Sequence, residues 1–359
     1  SGFKALKCRL FLDKRPACKP GARGDVMGIG LIIVIVLVCA SIFVNGWTDA
    51  PNAITTVVST RVLSPRAAVG LAAIFNLLGV LLMGSAVAET ISSIIQNPQP
   101  GNDILVTLAA AQIAIVAWAI GAWRFGIPTS ESHALVAGLT GAALAGGGLS
   151  SVSWEAWQKV LIGLGVSSVL GFASGWLVTL GVSKAFGRMN RRRANKIFSY
   201  GQILSASAMA FSHGAQDGQK FMGVLAFALM MGGVIPSTET FTIPLELMVG
   251  CSVLMAIGTS IGGYRIIKTM GMDMVKIEKY QGFSSEVAAS ACMIASTLFG
   301  IPLSTTNTKG TALMGAAAAR RLSNVNWGIV KEMLLAWVLT FPACGLIGYL
   351  MALLLHAIF

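Results

Sequence analysis

Charge is what this chain has least of. Of its 359 residues, 11% are Asp, Glu, Lys or Arg and 55% are hydrophobic, and the mean hydropathy is +0.75. Soluble domains carry about 25% charged residues, so a water-exposed globule is excluded and a multi-span membrane protein remains. Cysteine is scarce too. The six, at 8, 18, 39, 251, 292 and 344, form no CxxC pair and no metal-ligand spacing. The last four lie in apolar runs and are expected to pack as small hydrophobes. No haem, nucleotide or nucleic-acid motif occurs, and no nucleophile–base pair or metal cluster marks an enzyme. The net charge of +12 is not a nucleic-acid signal, because the basic residues fall in loops between apolar runs. No organic cofactor and no nucleic acid are therefore expected, and the lipid bilayer is the expected surrounding. Glycine, by contrast, is abundant at 41 residues, as where helices pack closely in lipid.

A span needs about 20 mostly apolar residues. That rule predicts crossings near 28–60, 66–93, 104–123, 127–148, 156–183, 197–232, 242–267, 283–299, 301–319 and 327–357. Pro51 and the Gly46 region are expected to interrupt the first. Residues 1–26 hold seven Lys/Arg, two Cys and no long apolar run, and read as a leader or an added segment. Arg61, Arg66 and Arg124, the run Lys184–Lys196, then Arg265, Lys268, Lys276, Lys279, Arg320, Arg321 and Lys331 fall on one side. The opposite loops, near 94–103, 145–158 and 231–245, contain no Lys or Arg, with Lys159 the nearby exception. The positive-inside rule then gives ten crossings with both ends outside. Five per half forces the second half to run inverted. The expected fold is an all-α polytopic membrane protein, an inverted five-plus-five repeat with broken helices at the midplane. Residues 27–183 form the first repeat, 184–196 a cytoplasmic basic linker and 197–359 the second repeat.

Two repeated motifs support the division. Ser212–Gly223 reads SHGAQDGQKFMG and aligns with NGWTDAPNA at 45–53, matching Asp217 to Asp49 and Lys220 to Asn52. Ionisable groups at membrane depth are costly and mark ion or substrate paths. Asp and Asn oxygens, with carbonyls freed at a helix break, suit a hard cation such as Na⁺; the alternative is a structural Asp–Lys pair. The second motif, GIPTSESHALVAGLTGAA at 126–143, returns as GIPLSTTNTKGTALMGAA at 300–317, identical at eight of eighteen positions. Proline at a first helical position followed by hydroxyls presents free N–H groups and the positive dipole end, an anion site. The alternative is that the hydroxyls bond back to their own helices. Sixteen residues before each proline stands a polar group, Gln112 in one half and Glu286 in the other. Glu286 follows a polar segment and is expected at the cytoplasmic interface. Lys309 can balance an anion, pair with an acid or snorkel. Glu131 repels an anion unless neutralised, and His133 and His213 are candidate proton relays.

These residues carry a resemblance. Ser212–Lys220 is similar to the second signature, S-H-G-A-N-D-G-Q-K, of the inorganic phosphate transporter (PiT) family. Gly46–Ala53 resembles the first, G-A-N-D-V-A-N-A, and Pro302–Asn307 resembles the P-x-S-T-T-H segment. Gly282–Glu286 resembles a recurring GFSSE-like stretch, and the likeness covers 27–359. Thr48 and Gln216 stand where the signatures carry Asn, and Glu131 and Asn307 where Thr and His are expected. The resemblance implies a symporter importing inorganic phosphate by alternating access, in the plasma membrane of a prokaryote (its inner membrane). Thr129, Ser130, Ser132, Ser304, Thr305, Thr306 and Gln219 would bind phosphate. Asp49, Asn52 and Asp217 would bind sodium as the coupling ion. Charge or coupling roles fall to Glu131, His133, Lys220, Glu286 and Lys309. A homodimer is expected by similarity to other transporters. The rival readings are proton coupling, another oxyanion such as sulfate, and, from another class, an ion channel.

Overall fold

The computed structural model describes residues 22–49, 51–96, 101–235, 243–261 and 263–358. The leader expected over 1–26 lies almost wholly outside the described residues, as do parts of the loops 94–103 and 231–245. Among the described residues the secondary structure is helical apart from two isolated bridges. The first half contains α1 (Ala22–Thr48), α2 (Pro51–Ser59), α3 (Pro65–Leu82), α4 (Ala86–Ser92), α5 (Asn102–Phe125), α6 (Glu131–Gly147) and α7 (Trp154–Phe186). The second contains α8 (Arg191–His213), α9 (Gln219–Met231), α10 (Leu245–Ile261), α11 (Tyr264–Lys268), α12 (Lys279–Leu298), α13 (Thr305–Ala318) and α14 (Trp327–Ile358).

The long helix α7 is apolar on the outside and mostly small or polar within, whereas α14 buries Val330, Met333 and Trp337 before the smaller Thr340, Cys344, Gly348 and Ala352. On α7, Ala156, Val160, Gly163, Ser167, Gly171, Gly175 and Thr179 are buried, while Leu161, Ile162, Val169, Leu170 and Leu177 are exposed. Helices that show hydrocarbon outward and small residues inward are packed for lipid, where close backbone approach drives association. Every residue of α13 is buried, and most of α6. α7 wraps α13 and α14 wraps α6, so the two short central helices are each held by the other half's long helix. The same exchange recurs elsewhere: α5 packs on α14 as α12 does on α7, α1 crosses α10 as α8 crosses α3, and α4 meets α9 as α11 meets α2. The crossings are backbone-close. A Cβ on Gly141 of α6 would lie 1.9 Å from the Gly345 carbonyl oxygen of α14, and one on Gly315 of α13 would lie 2.1 Å from that of Phe172 in α7.

The ten expected crossings are not ten simple helices. Among the described residues six helical stretches, the first being α1 and α2 together over Gly28–Ser59, are long and apolar enough to span, or seven if α10 and the Arg265–Asp273 segment, bent by 67°, count as one. α3 and α4 are likewise separated, at Met83–Ser85. α13, at 14 residues, is about 21 Å long, short of a hydrocarbon core of ~30 Å. The stretch after Gly300, extended to Ser304, makes up the deficit at about 3.3 Å per residue. Proline does not open these central helices, as the sequence suggested. Pro128 and Pro302 lie in extended chain, and the helices start after Ser130 and Ser304, whose side chains cap them. Gly126 and Gly300, at φ +72° and +64°, make the turns that precede each proline. The first signature interrupts its helix at Asp49 as expected. The second does not break: α8 runs into α9 through a π-helical turn, Gly214–Gly218. The basic linker is also shorter than 184–196, because α7 continues to Phe186 and Asn190 caps α8 by accepting from Arg192 N at 2.9 Å.

Candidate functional site: two helix N-termini beside a carboxylate pair

The two proline stretches meet. Ser304 Oγ donates to Ser130 Oγ at 2.8 Å. Each hydroxyl also caps its own helix, Ser130 accepting from His133 N at 3.3 Å and Ser304 from Asn307 N at 3.1 Å. Capping leaves the first two N–H groups of each helix, those of Glu131 and Ser132 and of Thr305 and Thr306, without an intrahelical acceptor. Extended backbone at this depth must find partners elsewhere, and side chains supply them. Leu303 N donates to Gln216 Oε1 at 3.2 Å, and Gln216 Nε2 reaches the Ile301 carbonyl at 3.3 Å. The Leu303 carbonyl accepts from Lys220 and from Ser132. The Pro128 carbonyl accepts from Trp337 Nε1 at 3.1 Å, and the Thr129 carbonyl lies 3.2 Å from Thr306 Oγ1.

The aspartates of the two signatures stand directly beside these N-termini. Thr305 Oγ1 lies 2.9 Å from Asp49 Oδ2 and 3.0 Å from Asp217 Oδ2, bridging carboxylates 168 residues apart in sequence. Asp49 also accepts from Thr306 and Asn52, and Asn45 Nδ2 is 3.4 Å from Asp217 Oδ2. Lys220 Nζ binds Asp217 Oδ1 at 2.8 Å and Ser132 Oγ at 2.6 Å. The Asp–Lys pair foreseen as the structural alternative is therefore present, yet it also joins Asp217 to a proline stretch. His213 Nε2 lies 3.3 Å from Asp217 Oδ2. One ligand atom each from Asp49, His213 and Asp217 lie within 4.8 Å of one another, all buried. Two carboxylates so close, with the His213 ring beside them, suit a hard cation. The neighbouring N–H groups suit an oxyanion.

Several expected residues sit elsewhere or do something else. Thr305 and Thr306 direct their hydroxyls to the carboxylates, because at the first turn of α13 they face the Asp49 break. Gln219 is not brought to the serines: its Oε1 accepts from Val87 N at 3.1 Å and its Nε2 donates to the Met83 carbonyl at 3.2 Å, pinning the α3–α4 break. Glu286 is not at the cytoplasmic interface but 0% exposed. It accepts from Thr56 and Ser205 and lies 3.7 Å from Lys309 Nζ, so Lys309 pairs with an acid. His133 stacks on Phe341 with ring centroids 4.8 Å apart. Glu131 turns toward the first signature, where Thr48 donates to it. Sequence reasoning passed over Gln216, Asn45 and Thr48 as working residues. Their one local signal was a place inside the two signature stretches.

Buried ionisable groups, broken central helices and an apolar outer face together define a polytopic membrane transporter. The chain belongs to the phosphate transporter family, whose sequence profile matches residues 45–348. Its relatives include a probable low-affinity inorganic phosphate transporter of Bacillus subtilis (strain 168), 35% identical over 93% of this chain and 100% of that one. Another, of the same description, is from Rhizobium meliloti (strain 1021), 41% identical over 86% of this chain and 91% of that one. A solved structure described as the sodium-dependent phosphate transporter superimposes with a TM-score of 0.83 at 23% identity, covering 92% of this chain and 100% of that one. At that identity the likeness is one of fold. The family and these relatives are transporters, not enzymes.

Proposed function

We propose that this phosphate transporter is a sodium-coupled symporter that imports inorganic phosphate by alternating access, in the plasma membrane of a prokaryote. One observation carries the reading: the capped N-termini of α6 and α13 touch at Ser130 and Ser304, immediately beside the Asp49–Asp217 pair that Thr305 bridges. Phosphate accepts from the free N–H groups and from Ser130, Ser132 and Ser304, with Thr129 on the flanking extended strand. Sodium sits on Asp49, Asn52 and Asp217 and offsets the anion's charge. Lys220, between Asp217 and Ser132, links the two. The exchange of helix partners between halves supports an inverted repeat of residues 27–183 and 197–359, and a homodimer is the assembly expected of such a carrier.

Labelled phosphate uptake into proteoliposomes tests this. An inward sodium gradient at equal pH is expected to drive accumulation, and a proton gradient without sodium is not. Asp49→Asn and Asp217→Asn are expected to abolish sodium-driven uptake while the protein still elutes as a folded species. Uptake driven equally by protons alone, or unchanged sodium dependence in both variants, would overturn the sodium assignment. Linear, non-saturating flux would indicate a channel instead.

A further inference from the structure

Six basic residues, Lys184, Arg188, Arg191, Arg192, Arg193 and Lys196, cluster at the turn between α7 and α8, with no acid between them. Among the described residues none of the six forms an ion pair. Beside them lies a cavity of about 290 Å³, enclosed by the last turn of α7, the first turns of α8, the start of α12 and Arg320 beyond α13. Arg191, Asn195 and Phe198 line it from α8, since residues three and four apart share a helix face. Phe186, Phe198 and Tyr280 make its apolar side, with ring centroids 5.3 Å apart for the first two and 6.2 Å for the last two. Among the described residues Glu278 is the one carboxylate on the wall, and it pairs with Arg320. Those two charges cancel, so Arg191 leaves the wall net positive.

A guanidinium without a partner, at a cavity with an aromatic side, fits a phosphate carried on an apolar body, because Arg offers phosphate oxygens a rigid fork of donors. Depth narrows the choice between a soluble phosphate ester and a lipid. α7 has 33 residues and is about 50 Å long, against a hydrocarbon core of ~30 Å and ~40–45 Å with the headgroups. It starts at the exposed Trp154, a residue type that anchors at the interface. Its last turn, which helps to form the cavity, therefore reaches the headgroup layer of the other leaflet, the cytoplasmic one by the Lys/Arg asymmetry.

We propose that this cavity holds the headgroup of one anionic phospholipid, its phosphate on Arg191 and its glycerol and first acyl carbons against Phe186 and Phe198. The basic cluster draws anionic lipid to this end of the molecule, as clusters of Lys and Arg just beyond a span do, and the cavity gives one such lipid a fixed place. The walls come from both halves of the chain, α7 from the first and α8 and α12 from the second. A bound lipid thus bridges the halves and stabilises the folded protein by mass action. The site shares no residue with the central one and is independent of the sodium-coupled reading.

The test is native mass spectrometry of the purified, delipidated transporter titrated with phosphatidylglycerol or with phosphatidylcholine, alongside melting temperatures in the same detergent. The first phosphatidylglycerol is expected to bind several-fold more tightly than phosphatidylcholine and to raise the melting temperature. Arg191→Gln should weaken that first binding several-fold. Arg320→Gln, which leaves Glu278 unpaired to repel the phosphate, should weaken it too and reads the cavity from its other wall. Arg193→Gln is the control. It removes the same charge from the same turn, but about 200° round α8 from Arg191, and should leave the first binding nearly unchanged. Equal losses in Arg191→Gln and Arg193→Gln would reduce the effect to diffuse attraction and overturn the site. So would the absence of any preference for phosphatidylglycerol. Displacement of the lipid by inorganic phosphate or glycerol 3-phosphate at matched ionic strength would assign the cavity to a soluble phosphate compound and overturn the lipid assignment.

Discussion

Lys309 and Glu286 neutralise each other at 0% exposure, 3.7 Å apart, with Thr56 and Ser205 on the carboxylate. Taking two ions out of water costs several kcal/mol each, and their attraction offsets this only while both are present. The counterparts in the first half are Leu135 and Gln112, a neutral pair, and both amide atoms of Gln112 are buried without a partner among the described residues. The ion pair therefore belongs to one half of an otherwise repeated architecture. Removing one partner, in Lys309→Met or Glu286→Gln, is expected to cost about 3–5 kcal/mol for the uncompensated charge or lost pairing. The double variant should recover most of this loss, because no unpaired ion is left. Thermal melting in detergent across the four proteins measures it, and a double variant no more stable than either single one would show that the two groups do not depend on each other.

At the scale of elements, the central helices are short and almost wholly enclosed, so their position depends on backbone contact with the long helices around them. Gly141 and Gly315 occupy equivalent places in the repeated motif and make equivalent close approaches to α14 and α7. Gly141→Ala and Gly315→Ala are each expected to lose about 1–3 kcal/mol by overpacking and to shift the capped N-termini that meet at Ser130 and Ser304. Gly165→Ala is the control. It lies on α7 with nothing within 4 Å of an added Cβ, and should gain up to about 1 kcal/mol from helix propensity. Melting temperatures separate these cases. Equal effects at all three positions would mean that helix propensity, not close packing, sets the result.

At the scale of the whole molecule, the asymmetry of Lys and Arg predicts that the turn between α7 and α8 faces the cytoplasm and the segment before α5 the outside. Single cysteines at Asn195 and Asn102, in a background with the reactive native cysteines replaced, test this in intact cells. A membrane-impermeant reagent is expected to label the second and not the first. The reverse pattern would overturn this orientation, and labelling of both positions or of neither would sink the inverted scheme.

Much of this architecture is determined by the sequence alone, because hydropathy, basic-loop asymmetry and internal repetition are local or periodic properties. Ten apolar segments, the interruption at Asp49, the pairing of Asp49 with Asp217, and the two proline stretches all follow from reading along the chain. The polar pairings do not. Thr305 to Asp49, Ser304 to Ser130, Gln219 to the α3–α4 break and Lys309 to Glu286 join residues from different helices, most from opposite halves. The packing of α13 against α2 and α12, and of α9 on α4, brings such groups within bonding distance. A side chain with several eligible partners is assigned to one of them by the tertiary structure, since a buried polar group must take whichever partner the fold delivers and has no water to turn to instead.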